Sequence, residues 1–168
     1  PTTVASVADI VVFNDSVLEK GIRAALNKPT GDITFAEAAT LKELELSIEF
    51  ESPEELRIKD LSGLEHFVNL EQLGLQFHWL SDISPLSGLT HLKSLGLGGN
   101  SIRDIPPLAG LTQLDFLSLF NCEATDYSAR FAYYDPTTTS GGKLFVPEGL
   151  AYDQQNRLVR YQLAFSLG

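Results

Sequence analysis

Hydrophobic residues in the middle of the chain recur with a period of 22 positions. Segments 67–88, 89–110 and 111–132 align without gaps, and the alternation L-x-L in each predicts a short strand with both leucines on one face. One such unit cannot bury its own leucines, so the units are expected to stack around a continuous core. The aligned columns are Leu70/Leu92/Leu114, Leu73/Leu95/Leu117, Leu75/Leu97/Leu119, Leu80/Ile102/Ala124, Asp82/Asp104/Asp126 and Ile83/Ile105/Tyr127.

A less regular unit precedes these three. Its strand pattern lies in segment 41–50, and its tail resumes in segment 57–67. Leu44 lies 29 residues before Leu73, so about seven residues are inserted near Ser52–Leu56. The pattern therefore predicts four parallel strands, centred near Leu44–Leu46, Leu73–Leu75, Leu95–Leu97 and Leu117–Leu119.

An amphipathic helix is predicted near the N-terminus, before Pro29. Two starts fit the spacing equally well. Asn14 as the N-cap would let Phe13 pack on Leu18, whereas Ser16 would form a capping box with Glu19. The apolar face of this helix consists of Leu18, Ile22, Ala25 and Leu26.

The two ends of the chain depart from the repeat. Thr34 and Glu37 have capping-box spacing and predict a short second helix before the first strand. After Asp126 the pattern fades, and period-two alternation at 127–133 and 159–165, around a loop at 135–142 and a short strand from Lys143, predicts a small cap of two or three strands. The chain thus divides into a helical cap (1–40), repeats (41–126) and a β-rich cap (127–168), because a solenoid needs its apolar ends covered.

These columns resemble the leucine-rich-repeat motif LxxLxLxxN/CxL. The 22-residue period and the D-I-x-P-L tail are similar to the bacterial internalin-like subclass, and segment 18–34 is similar to the cap that precedes repeats in many bacterial surface proteins. The resemblance implies an α/β fold, a short right-handed solenoid with a parallel concave sheet. It also implies that the side chains in the Asn column satisfy backbone groups of the turns from inside; that column holds His78, Asn100 and Cys122.

Composition narrows the choice of partner and location. A net charge of −10 argues against binding nucleic acid through its phosphates. No run of apolar residues is long enough to predict a membrane span. The absence of methionine and the start at Pro1 predict a mature or excised piece of an exported protein, and the lone Cys122 excludes an internal disulfide.

Catalysis, cofactors and metals are not predicted. His66, His78 and His91 fall in different columns without the ligand spacing of a metal site, and Cys122 has no identifiable partner histidine. One acidic stretch presents a row of carboxylates opposite an apolar face. A solvated edge is the preferred interpretation, with a bound cation or basic partner and hydrolysis as alternatives. The carboxylates are Glu43, Glu45, Glu49 and Glu51, and the opposite face is Leu44, Leu46, Ile48 and Phe50.

Aromatic residues at non-leucine positions are the main functional lead. Exposed aromatic clusters mark binding surfaces, unless caps or turns cover them. Gly96, Gly98 and Gly99 are expected to leave a flat strand that a partner can approach. We therefore predict a non-catalytic module at a bacterial cell surface that binds a protein, or alternatively a glycan, through its concave face; a structural spacer and a hydrolase are the other hypotheses. The predicted binding residues are Gln72, Gln76, Phe77, Trp79, Phe116 and Phe120.

Overall fold

The structure, a computed structural model, describes residues 9–124 and the backbone of three short strands beyond them. Two helices precede the first strand: α1 (Ser16–Ala25) and α2 (Phe35–Ala38). Five strands form a sheet in sequence order, and two more form a separate pair. The strands are β1 (Glu43–Glu45), β2 (Gln72–Gly74), β3 (Ser94–Gly96), β4 (Phe116–Ser118), β5 (Lys143–Leu144), β6 (Ala151–Tyr152) and β7 (Leu158–Arg160).

The five-stranded sheet is parallel, and its register follows the leucine columns. Leu73 pairs with Leu44 on one side and with Leu95 on the other, and Leu95 pairs in turn with Leu117. The predicted parallel strands of an α/β leucine-rich-repeat solenoid are thus confirmed, each assigned one residue earlier than predicted. The insertion before β2 contains a single 3-10 turn at Glu54–Leu56.

The core lies between the sheet and the tails of the repeats. Each tail returns through a short 3-10 turn, and the three regular turns span Leu64–His66, Ser84–Gly88 and Pro106–Leu108. Every leucine of the three aligned strand columns is buried. Stacking therefore gives each repeat the apolar neighbours that it lacks alone.

One buried column hydrogen-bonds the turns from inside, as the resemblance implied. Asn100 Oδ1 accepts from the backbone N–H groups of His78 and Leu80, and its Nδ2 donates to the carbonyls of Leu75 and Leu97 at 2.7 and 2.8 Å. One amide side chain thus satisfies four backbone groups that would otherwise be buried without partners.

His78 and Cys122 occupy the same column in the neighbouring repeats. His78 Nδ1 accepts from Ile58 N–H at 3.0 Å, which leaves Nε2 protonated to donate to the Leu46 carbonyl at 2.7 Å. Burial lowers the pKa of His78 and raises that of Cys122 to about 11. Both side chains are consequently neutral at pH 7. They hydrogen-bond to backbone groups, as side chains with a structural role do.

Neither predicted start of α1 is correct, because Asp15 is the N-cap. Asp15 Oδ1 accepts from the N–H groups of Val17 and Leu18, while Oδ2 accepts from the Lys59 N–H at 2.7 Å. The two oxygens of the Asp15 carboxylate accept hydrogen bonds from the helix end and from a distant turn at the same time. The single hydroxyl of Ser16 does not make both sets of bonds. The capping box of Thr34 and Glu37 at α2 is confirmed.

The C-terminal segment contributes backbone strands. β5 extends the repeat sheet in parallel with β4, and β6 pairs with β7 in antiparallel fashion. The predicted loop at 135–142 and the alternation at 127–133 lie outside the described residues, as does most of the alternation at 159–165. The division of the chain into three segments stays a prediction. Among the described residues, no helix is long and apolar enough to span a membrane.

Candidate functional site

The concave face is formed by the residues that alternate with the buried leucines. Gln72 Nε2 donates to Glu43 on the neighbouring strand at 3.0 Å, so these two side chains lie side by side across the sheet. A shallow depression of about 170 Å³ lies over Gly74 and Gly96, with Phe116 among its lining residues. The two rows of the face are Glu43–Gln72–Ser94–Phe116 and Glu45–Gly74–Gly96–Ser118.

Both phenylalanines predicted on β4 and just beyond it reach solvent. Phe116 is 41% exposed beside the depression, and Phe120, two residues after the end of β4, is 37% exposed. The predicted glutamines lie on the same surface: Gln72 is exposed, and Gln76 is half-buried with its amide over Gly96. The structure thus brings Gln72, Gln76, Phe116 and Phe120 onto one face, and their role in binding stays a prediction.

The glycine strip is not open, contrary to expectation. The ring of Phe120 lies over Gly98 and that of Phe77 lies over Gly99, so that a Cβ at either glycine would overlap a ring. Because these glycines have no side chain, aromatic rings of the same chain pack directly on their backbone. A partner would therefore meet rings at Gly98 and Gly99 rather than bare backbone.

These rings continue into a row at the carboxyl ends of the strands. Phe77 meets Phe120 edge-on with a ring-centroid distance of 5.5 Å and Phe50 at 6.1 Å. Edge-to-face packing of this kind is favourable for aromatic pairs. We call Phe50, Phe77, Trp79 and Phe120 the aromatic edge.

Phe50 is a functional candidate that the sequence pattern misassigned. Alternation placed it on the buried face, but it is 66% exposed. The reason is that β1 ends at Glu45 and the chain turns at residues 50–51, so strand parity no longer applies. The extra length between Leu44 and Leu73 was the available signal, because an insertion interrupts the strand pattern.

Trp79 lies at the same edge, above a buried arginine. The ring is 53% exposed, and the Arg57 guanidinium lies 4.0 Å from its centroid. Arg57 itself is only 4% exposed and donates to three carbonyls, those of Phe50 at 2.9 Å, Ser52 at 2.8 Å and Phe77. Sequence reasoning did not identify Arg57, because its role depends on segments some twenty residues apart.

Two members of the aromatic edge have left-handed backbone. Phe77 and Trp79 both have φ of 65°, a conformation that is costly for bulky residues, about 1–3 kcal/mol each. The equivalent of Phe77 in the next repeats is Gly99 and then Asn121, residue types that adopt this conformation readily. The first regular repeat thus carries Phe77 at a position where its neighbours carry residues suited to the turn.

The predicted row of four carboxylates is not formed on one strand. Glu43 and Glu45 lie on β1, whereas Glu49 and Glu51 follow its end. Glu45 Oε1 accepts from the Ser47 N–H at 2.8 Å. Across residues 9–124, no three His, Cys, Asp or Glu side chains are grouped so as to hold a metal ion.

Charges at the opposite, amino-terminal edge of the sheet are paired. Glu71 accepts hydrogen bonds from Lys42 at 3.0 Å and from Lys93 at 2.6 Å. These bonds lower the pKa of Glu71 to about 2, and the bond from Lys93 has the larger effect. This edge therefore presents alternating charges, whereas the aromatic edge is bordered by glutamates.

Comparison with solved structures finds the same fold in internalins. An internalin, InlF, from Listeria monocytogenes is 33% identical over 73% of this chain and 35% of that protein, with a TM-score of 0.65. Internalin C2 from the same species is 24% identical over 77% of this chain and 57% of its own, with a TM-score of 0.66. The functional domain of InlJ is 19% identical, with a TM-score of 0.50.

The chain spans about a third to just over half of the length of the first two of these proteins. No protein-family model matches it, and no curated protein matches it. The likeness to internalin C2 and InlJ bears on the fold alone, whereas the likeness to InlF extends to the sequence.

Proposed function

We propose that this bacterial internalin-like leucine-rich-repeat protein is a non-catalytic module that binds another protein through its concave face, at the surface of the cell. The similarity to internalins supports a role in protein binding in general. The concave surface and the cellular location are the specific parts of the proposal.

The observation that carries the proposal is the exposure of Phe116 and Phe120 on the concave face. The solenoid is held together by its leucine columns, so the scaffold does not require aromatic rings at these positions. Gln72 and Gln76 supply amides around them. An apolar centre with a polar surround is the usual layout of a protein-binding surface, in which a few aromatic anchors provide most of the affinity.

The groups with potential for catalysis have structural partners instead. His78 and Cys122 are buried and hydrogen-bonded to the turns. With a pKa of about 11, Cys122 is a thiol rather than a thiolate at pH 7, so it is a poor nucleophile. These features favour binding over hydrolysis.

The test compares Phe116→Ala and Phe120→Ala with the wild-type chain. Immobilised proteins are exposed to bacterial and host surface extracts, and captured proteins are identified by mass spectrometry. A partner that binds the wild type is expected to be lost from both variants, with Kd raised at least about 30-fold, which corresponds to about 2 kcal/mol for an aromatic anchor.

Val68→Ala is the matched control, because Val68 is an exposed apolar residue outside the concave face and the aromatic edge. It is expected to retain the partner, and all three variants should unfold near the wild-type temperature. Retention of the same partner by Phe116→Ala and Phe120→Ala would contradict concave-face binding. A loss of several kcal/mol of stability would show instead that the rings serve the core.

A glycan is a second candidate ligand, favoured by the depression over Gly74 and Gly96. An aromatic ring, two glutamine amides and two carboxylates line it, which are the groups that bind sugar faces and hydroxyls. Titration with bacterial and host oligosaccharides decides between the two. Saturable binding that Phe116→Ala abolishes would favour the glycan.

A further inference from the structure

We propose that the aromatic edge is a second docking zone, which takes a cationic segment of the partner protein and is built by the insertion between β1 and β2. This inference rests on the proposed protein-binding function and specifies the chemistry of the partner. It adds Phe50, Arg57 and the glutamates of the insertion to the surface formed by the concave face.

Three rings of the aromatic edge form a continuous apolar row, to which Trp79 is joined through Arg57. Phe50, Phe77 and Phe120 are in edge-to-face contact, one after the other, across four repeats, of which the third contributes glycines beneath the rings. Phe50, Trp79 and Phe120 are all more than a third exposed. Clustered exposure of this kind marks a site of association, whereas single exposed apolar residues do not.

Arg57 fixes this surface before a partner arrives. Its guanidinium donates to the carbonyls of Phe50 and Ser52, at the start of the insertion, and to the Phe77 carbonyl of the first regular repeat, and it lies against the Trp79 ring. Within residues 9–124, Arg57 takes part in no ion pair, and its Nε has no hydrogen-bond acceptor. Its contacts thus hold the insertion and the left-handed turn together, which reduces the entropy lost when the rings are bound.

Charge around the rings identifies the occupant. Segment 43–56 contains six glutamates, and of the two cations that follow it, Lys59 is paired with Glu54 and Arg57 is buried. Glu49 and Glu51 flank Phe50, both are exposed, and in the described part of the chain neither is in an ion pair. Apolar rings bordered by unpaired carboxylates suit lysine or arginine beside an apolar residue, because the aliphatic stem packs on the rings while the charged group meets the glutamates.

Trp79 adds apolar surface for such a segment. One side of its ring already lies against the Arg57 guanidinium, and half of its surface remains exposed. Because the guanidinium already occupies one side of the ring, the exposed part offers apolar contact to the aliphatic stem of a lysine or arginine rather than a second cation–π site.

Other occupants are disfavoured by the same charges. A nucleic acid and an anionic membrane would both be repelled by the glutamates. A second copy of this chain carries the same net charge of −10 and would present the same acidic segment. A cationic protein segment is the occupant that both the rings and the carboxylates fit.

The experiment selects partners by chemistry. A display library of short random peptides is panned against the full chain, and the selected consensus peptide is synthesised and titrated. We expect enrichment of lysine or arginine next to aliphatic or aromatic residues. Binding should change the fluorescence of Trp79, the only tryptophan in the chain, and should weaken several-fold as salt rises, because exposed charges are screened.

Substitutions in the aromatic edge test whether the peptide binds there. Phe50→Ala should raise the Kd about tenfold, and Glu49→Gln with Glu51→Gln should both weaken binding and flatten its salt dependence. Val12→Ala is the matched control, since Val12 is an exposed apolar residue outside the aromatic edge. Enrichment of acidic or uncharged peptides, enrichment of none, or an unchanged Kd in Phe50→Ala would overturn the inference.

Phe116→Ala separates this inference from the proposed function. If the peptide is lost in Phe116→Ala but kept in Phe50→Ala, the edge inference is wrong while concave-face binding stands. If a partner captured as described above is kept by Phe116→Ala but lost in Phe50→Ala and in Phe120→Ala, whose ring contacts Phe77, the edge binds and the concave face does not.

Arg57→Lys tests the positioning role of the guanidinium. Lysine keeps the charge but cannot bridge three carbonyls with a planar fork. We expect the far-UV circular dichroism to be unchanged, the acrylamide quenching of Trp79 to increase and the peptide to bind less tightly. Unchanged quenching and affinity would show that Arg57 does not position the ring, and if the variant unfolds, the Phe50→Ala comparison alone decides the inference.

Discussion

At the scale of single residues, the same position in successive repeats is filled by three chemically different side chains that do related work. Asn100 bonds four backbone groups, His78 bonds two with its ring nitrogens, and Cys122 donates its S–H to the Leu97 carbonyl at 3.3 Å. This role was predictable from the repeat column. The ring tautomer of His78 and its partner Ile58 were not, because they depend on the irregular first repeat.

The buried ring of His78 makes stability depend on pH. Burial, the largest cause, lowers its pKa below the 6.5 of the unfolded chain, so the unfolded state binds the proton more readily than the folded state. The free energy of unfolding should therefore fall as pH decreases through the range below 6.5, until the folded state is protonated as well. Urea denaturation at several pH values measures this slope.

His78→Asn supplies the comparison, since Asn serves the same column in the next repeat. Its free energy of unfolding should vary less with pH in that range than the wild type. His91→Asn, at an exposed histidine, should retain the wild-type slope. Equal slopes in all three proteins would contradict this account.

Cys122 gives a second prediction at this scale. Its thiol is buried and its pKa is raised to about 11, so only a minute fraction is thiolate at pH 8. A thiol reagent such as Ellman's should react slowly with the folded protein and rapidly in denaturant. Rapid reaction of the native chain would show that the last described repeat opens readily.

At the scale of elements, periodicity predicted the strands well and the helix start poorly. The leucine columns set the register of β1 to β4 because each column must be buried in turn. The N-cap of α1 depends instead on a contact between residues 15 and 59, which local spacing does not reveal. Phe50 was misassigned for a related reason, since the insertion ends the strand before the alternation ends.

Asp15 should contribute more than an ordinary helix cap. A cap substitution commonly costs about 1 kcal/mol, and Asp15→Ala additionally leaves the Lys59 N–H without its carboxylate. We expect a loss of about 2 kcal/mol in urea denaturation. Asn14→Ala, at the neighbouring exposed residue, should cost less than about 0.5 kcal/mol. Similar losses in the two variants would show that neither the cap nor the bond to Lys59 contributes appreciably.

At the scale of the whole molecule, elements outside the repeats meet the stack at both ends. α1 buries Leu18 and Ile22 in the common core, and β5 continues the sheet beyond β4. The need to cover the ends of a solenoid was inferred from the repeat pattern, and the C-terminal cap stays a prediction. The addition of β5 in parallel to the same sheet was not, because the repeat pattern fades before it.

Removal of residues 127–168 should destabilise the remaining chain. The truncation leaves β4 as an unpaired edge, with Leu117 and Leu119 behind it, and such an edge favours aggregation. Size-exclusion chromatography and thermal melting are expected to show aggregated or loosely folded protein. A monomeric truncation with the wild-type melting temperature would mean that the segment is an independent appendage.

The paired charges at the amino-terminal edge of the sheet also bear on how the repeats assemble. Four residues, each directly before one of four successive strands, carry charges whose signs alternate: Lys42, Glu71, Lys93 and Asp115. Neighbouring repeats therefore attract each other at this position. Any arrangement that skips a repeat would place lysine beside lysine, or glutamate beside aspartate. Because similar repeats are prone to misassembly with the wrong neighbour, this alternation penalises out-of-order stacking while the chain folds.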